Sequence, residues 1–216
     1  MSEQEWIQDL LHASGEDEIK FSEKQLKIIE AAAVTFAEKG FAATSTSEIA
    51  KKAGVAEGTI FRHYKTKKDL LFSIVRPTIE RLLAPHLAKS FAKDVFTVQY
   101  ESYEDFLRKL AKNRYEFLNK HFPILKIFLQ EIAFHEELRE PYMRLFQQHI
   151  YPNFEKTIIH FQQKKEIIDW PPKDVMRLTI TSLLGTLLAM KLNIAKDSYE
   201  AEIDKAVTFI MKGLSR

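Results

Sequence analysis

No cysteine occurs among the 216 residues, which excludes disulfides and thiolate catalysis and fits a reducing cytoplasm, where the chain is expected to act. There is no sustained alternation of apolar and polar residues and no Asn-Gly or Asp-Gly pair, so strands and tight hairpins have no support. Long apolar runs are missing too. The longest, Leu178 to Leu192, is broken by Thr179, Thr181, Ser182, Thr186 and Lys191, and no membrane span is expected. Lys and Arg are absent from Met1 to Glu18, which holds six acids and no continuous apolar core, so that stretch does not read as a secretory signal. No nucleophile-base-orienter set, phosphate loop or His-Glu-x-x-His motif is present; no catalytic residue and no cofactor is expected.

The informative segment is Gly40 to Lys68, GFAATSTSEIAKKAGVAEGTIFRHYKTKK. Ser45 with Glu48 three residues on forms a capping pair that opens a helix, the hydroxyl taking the Glu48 amide and the carboxylate reaching back. Ile49, Ala50 and Ala53 share one face of it, and Ala50 is small enough for a second helix to cross closely. Gly54 ends the helix in the left-handed conformation, Val55 plugs the corner, and Glu57 to Tyr64 forms the second helix with Ile60 inward and Glu57, Thr59, Arg62 and His63 outward. Thr66 and Asp69 cap a further helix before Leu70, Leu71 and Ile74. Short capped hairpins are common in all-α proteins. Here a longer helix, Ser22 to Lys39, precedes the pair with Ile28, Ala32 and Phe36 on one stripe, so three helices supply a core of their own.

The run AxxxFAEKGFAATSTSEIAKKAGVAEGTIFRHYKTKKDLL, Ala32 to Leu71, resembles the TetR family of transcriptional regulators in the order and spacing of its Gly-aromatic, Thr-Ser, Ile-Ala, Ala-Gly-Val, Gly-Thr-Ile and His-Tyr elements. The resemblance is specific over the first third of the chain. It implies that Ser47, Glu57, Gly58, Thr59, Phe61, Arg62 and Lys67 meet an operator in double-stranded DNA, and His63 lies on the same outward face. Thr59 suits a phosphate, Gly58 lets the backbone approach, and Lys67 joins an ammonium to a positive helix end. Arg62 is the candidate for reading guanine O6 and N7. Three positions depart from the family pattern: Ala56 for Ser, Phe61 for Tyr, and Glu57 for a neutral or basic residue.

The expected organisation is an acidic extension over 1–20, a helix-turn-helix domain over 21–68 with its motif at 45–64, and a larger helical domain over 69–216 for effector binding and dimerisation. Charge follows it: Lys20 to Arg76 carries eleven Lys or Arg against six acids, a local excess that suits phosphate. Helix four is expected from Lys67 past Pro77, kinked there, with further helices over Tyr103 to Asn119, Pro123 to Phe134, Pro141 to Lys165, Lys173 to Asn193 and Tyr199 to Leu214. Nine helices in all are the number the resemblance implies.

The middle of the chain is dense in rings. Phe106, Tyr115, Phe117, Phe128, Tyr142 and Phe146, with Arg114, Glu131 and His135 as polar anchors, are the candidate effector pocket, although aromatics at helical spacing also simply fill cores. Glu131 and His135 are the one i, i+4 pair that suggests a metal, and with no third ligand no metal is expected. Lys173 to Asn193 is apolar around much of its circumference; it is either a fully buried core helix or, with Ile203, Ala206, Val207, Ile210 and Met211, half of a four-helix interface with a second copy. The combined reading is an all-α, homodimeric, effector-responsive transcription factor, a repressor with a small apolar effector. The rival is an all-α small-molecule- or partner-binding module that reads no DNA.

Overall fold

The computed structural model describes residues 22–77 and 86–215; the expected acidic extension lies outside the described residues. Nine α-helices and two π-helical runs make up the described chain, and no strand occurs in it. The number of α-helices matches the expectation, but the chain is partitioned differently.

The first helix, α1 (Glu23–Lys39), opens on a capping box in which Gln25 N–H donates to Ser22 Oγ at 3.3 Å and Ser22 N–H donates to Gln25 Oε1 at 2.9 Å. It closes at Gly40 with φ 84°. Then α2 (Thr46–Ala53) starts where Glu48 N–H meets Ser45 Oγ at 3.1 Å and stops at Gly54, which sits in the left-handed region at φ 67°, ψ 33°. The expected return arm of that cap is not made, because the Glu48 carboxylate pairs with Lys39 instead. Next, α3 (Glu57–His63) begins at Ala56 with no side-chain cap, as its sequence demands. Finally, α4 (Lys67–Pro77) is capped reciprocally: Asp69 N–H donates to Thr66 Oγ1 at 3.1 Å and Thr66 N–H to Asp69 Oδ2 at 2.9 Å. The expected continuation of this helix past Pro77, residues 78–85, lies outside the described residues. Ile28, Ile29, Ala32, Phe36, Ile49, Ala50, Ile60, Leu70, Leu71 and Ile74 are all buried. Each large side chain so removed from water contributes about 1.5–3 kcal/mol, enough to offset the ordering of four short helices that would not form alone.

Two compact units emerge. The first holds the described residues up to His86 together with Lys120–Arg144, and the second holds Leu87–Asn119 with Leu145–Arg216. The long helix α5 (Tyr103–Glu131) contributes to both. Two separate helices were expected there, and the run is indeed two helices joined across a kink: His121 leaves helical geometry (φ −116°, ψ 16°) two residues ahead of Pro123. Proline suits the first turn of the helix that restarts after the kink, where its missing N–H would have no intrahelical partner.

The helix expected from Pro141 instead starts at Glu136: α6 spans Glu136–Leu145 with Pro141 inside it. Two acids in its first turn suit the positive end of the helix, and the Pro141 ring costs a single interior hydrogen bond. A π-helical turn, Phe146–Ile150, leads into α7 (Tyr151–Gln163), whose first turn accommodates Pro152. The second unit also contains α8 (Pro172–Lys191), α9 (Tyr199–Leu214) and, from Leu87 on, a π-helical run, His86–Phe96, that was not among the expected helices.

Rings fill the second unit. Phe106 is fully buried, with Phe96, Tyr100, Tyr103 and Phe154 at centroid distances of 5.9, 5.5, 5.5 and 5.7 Å. The Tyr103 hydroxyl lies 3.4 Å from that of Thr179, and burial pushes its pKa up to about 12 despite that contact.

Candidate nucleic-acid interface

Helix α3 buries one residue, Ile60, and turns the rest of its length outward. Glu57, Gly58, Arg62 and His63 are exposed, Thr59 is half-buried, and Ser47 is exposed on α2. Phe61 leaves 48 % of its surface in water, an apolar ring on a face that is otherwise polar. The Thr46 hydroxyl donates to Glu57 Oε1 at 2.5 Å, so the carboxylate that starts α3 is tied to the first residue of α2. This bond links the two helices and occupies one oxygen of the Glu57 carboxylate.

Lys67 is held more firmly than the sequence suggests. Its ammonium donates to the carbonyls of Phe41 and Thr44, both at 2.7 Å, and stands 4.3 Å above the Phe41 ring. Two of its three donors are thereby used to fasten the start of α4 to the turn after α1, leaving one for a phosphate. Nothing in the local sequence marks those carbonyls, since the bonds span 26 and 23 residues.

The nine residues proposed for an effector pocket fall into several separate groups. In the first unit Phe128 is buried with its ring 5.2 Å from that of Tyr142. Glu131 Oε2 lies 3.3 Å from His135 Nε2, and the His135 ring meets Phe41 and Phe72 edge-on, which makes it part of the packing around the reading helices. In the second unit Phe106 belongs to the ring cluster, Arg114 sits 3.8 Å from the centre of Phe91 and 5.0 Å from that of Phe117, Tyr115 stacks on Tyr199 at 4.3 Å, and Phe146 begins the π-helical turn as a half-buried residue. A cavity of about 490 Å³ in the second unit is lined by Tyr115, Met190, Lys191, Asn193 and Lys196 among others. Tyr115 is the one proposed pocket residue on its wall. Among the described residues no three His, Asp or Glu gather as a metal site, and no helix is long and apolar enough to cross a membrane.

Residues 28–74 match the family described as bacterial regulatory proteins, tetR family. Over that segment the chain is similar to the TetR family. It is similar to the fatty acid metabolism regulator protein of Bacillus subtilis (strain 168), 40 % identical over 75 residues that make up 33 % of this chain and 39 % of that one. The chain spans between about a third and a half of the length of the curated relatives it matches.

Solved structures resemble it over most of its length. A transcriptional regulator from Saccharomonospora viridis in complex with choline superposes with a TM-score of 0.63 at 19 % identity, covering 91 % of this chain and 100 % of that one. The FadR regulator of Bacillus subtilis in complex with stearoyl-CoA gives 0.57 at 19 % identity, covering 88 % and 98 %. At such identities the likeness shows the fold alone. Against the TetR pattern, the Ala56 departure leaves α3 without a side-chain cap. The missing cap costs about 1 kcal/mol, while the Glu57 departure is absorbed by the Thr46 hydroxyl.

Proposed function

We propose that the chain is a sequence-specific DNA-binding repressor that works as a homodimer and leaves its operator when a small apolar effector binds. The observation that carries this reading is the outward face of α3: a helix that buries Ile60 alone and offers Gly58, Thr59, Phe61, Arg62 and His63 to solvent is built to enter a groove. Arg62 reads guanine, the Thr59 hydroxyl and remaining Lys67 donor hold phosphates, and Gly58 admits the sugar-phosphate backbone. Residues 21–68 form the DNA-reading domain and 69–216 the effector and dimer domain, and the protein acts in the cytoplasm on its own operator.

Dimerisation is supported by α8 and α9. Along α8 the residues Leu178, Thr181, Leu184 and Gly185 make an exposed stripe opposite the buried Val175, Met176, Thr179, Leu183 and Leu187, so this helix is not enclosed by its own chain. On α9 Phe209 is 71 % exposed. A second copy covering this stripe would remove it from water and set two reading helices on two half-sites. For the effector, the stearoyl-CoA and choline carried by two structural relatives are the first compounds to try. Selection of bound duplexes from a random pool tests the reading: a pseudo-palindrome with half-sites about one helical turn apart, 10–10.5 base pairs, is expected. Recovery of no consensus would contradict it.

A further inference from the structure

The acidic stretch at the start of the chain has no part in the function proposed above. Met1 to Glu18 carries Glu3, Glu5, Asp9, Glu16, Asp17 and Glu18 and no Lys or Arg, and among the first of these acids Trp6, Ile7, Leu10 and Leu11 recur at helical spacing. Four large apolar side chains flanked by acids call for a surface that is apolar at its floor and basic at its rim.

The reading head has such a surface. A groove of about 570 Å³ runs between α1 and the α2–α3 turn. Its floor is Ala31 and Val34 of α1 with Ala53 and Val55 of the turn; the alanines are buried, while the valines are half-buried and still meet solvent. Exposed Lys24, Lys27 and Lys52 stand along it against one acid, Glu30. Lys27 pairs with Glu23 at 2.7 Å and Lys52 with Glu38 at 3.3 Å. Both pairs are open to water, where such contacts are worth about 1 kcal/mol at most, so each ammonium can turn to another carboxylate. No residue placed at the DNA interface lines the groove.

The length of chain suffices for the approach. Ser22 caps α1 two residues ahead of Lys24. Between Leu11 and Ser22 lie residues 12–21, which can span up to about 33 Å, whereas α1 rises only about 15 Å from Lys24 to Val34. The Ser14–Gly15 pair supplies a point of reversal.

We propose that residues 1–18 dock back onto the reading head in this groove, with Trp6, Ile7, Leu10 and Leu11 against the Val34–Val55 floor and their acids against Lys24, Lys27 and Lys52. The contact is made within one chain and leaves the outward face of α3 open. It is independent of whether the protein reads DNA.

Trp6 and Trp170 are the only tryptophans of the sequence, and Trp170 is 51 % exposed in the second unit, so full-length Trp170→Phe reports on Trp6 alone. Docked, Trp6 should emit at shorter wavelength than in the same chain unfolded by denaturant and should resist acrylamide quenching. Lys24→Glu with Lys52→Glu, added to that protein, changes two exposed side chains and should shift the emission to longer wavelength and restore quenching. From the other side of the contact, Leu10→Ser with Leu11→Ser should do the same. Trp6 as accessible in the folded protein as in the unfolded one would overturn the proposal. A shielded Trp6 that ignores the lysine changes would also overturn it, since the segment would then sit elsewhere. So would shielding lost on dilution, because the groove would then hold the segment of a second copy.

Discussion

The reading head and the second unit are both helical, yet they are built on opposite plans. In the head, short helices capped by Ser22, Ser45 and the Thr66–Asp69 pair bury Ile, Ala and Leu around one phenylalanine, Phe36. The second unit surrounds Phe106 with Phe96, Tyr100, Tyr103 and Phe154. Small aliphatic residues let the helices cross closely and leave the outer side of α3 free for contact; a ring cluster fills volume by edge-to-face packing and tolerates many arrangements. The first plan depends on residue identity at fixed offsets, the second mainly on total volume, and the family model matches the first, residues 28–74.

Truncating the centre of each core is the harshest test of that contrast. Phe106→Ala should destabilise the second unit by about 3–5 kcal/mol, read by chemical denaturation, since nothing nearby is small enough to collapse into the space. Replacing Phe106 by Leu, which leaves a smaller void, should cost clearly less than the alanine variant if volume is what the cluster needs. A comparable loss for both variants would mean that ring geometry matters more than volume.

On the head, Arg62→Ala should weaken operator binding by about 1–3 kcal/mol and relax preference at one base pair in each half-site. Stability should be unchanged, because the side chain is exposed. Uniform weakening across all duplexes would make Arg62 a backbone contact. Gly54→Ala, by contrast, alters no contact atom and forces a left-handed φ of 67° on a residue with a Cβ. It should cost about 1–2 kcal/mol of stability with operator affinity lost only in proportion.

The smallest expected effect concerns pH. The Tyr103 hydroxyl is raised to about 12 by burial, so the unfolded chain ionises first. Stability of the second unit should be intact below pH 10 and decline as pH rises towards 12. Tyr103→Phe should flatten that decline in alkaline denaturation curves, and an unaltered curve would assign it to other groups.

The head was legible because its signals are local. Ser45 with Glu48, Gly54, and Thr66 with Asp69 each act over three or four residues, and each cap donor and acceptor falls where its sequence places it except the Glu48 return arm, taken by Lys39. Elsewhere local signals misled. Pro141 read as a helix start and is borne inside α6, which begins at Glu136 on an acidic first turn; at Pro123 the boundary reading holds, since His121 breaks the helix just ahead of it. The π-helical run His86–Phe96 was not among the expected helices, although its apolar residues recur on one side. The two carbonyls that bind Lys67 and the seat of His135 against Phe72 join residues 23 or more positions apart. Contacts at that separation leave no local trace, which is why Phe72 was missed and His135 was placed in a pocket.

Two reading heads held by one dimer is the central claim, and half-site spacing tests it most directly. Affinity is measured for the selected operator and for the same duplex with five base pairs inserted between its half-sites, which turns one half-site to the opposite side of the helix at 10–10.5 base pairs per turn. The account predicts that the inserted duplex binds no better than an isolated half-site. Equal affinity for both duplexes would contradict it.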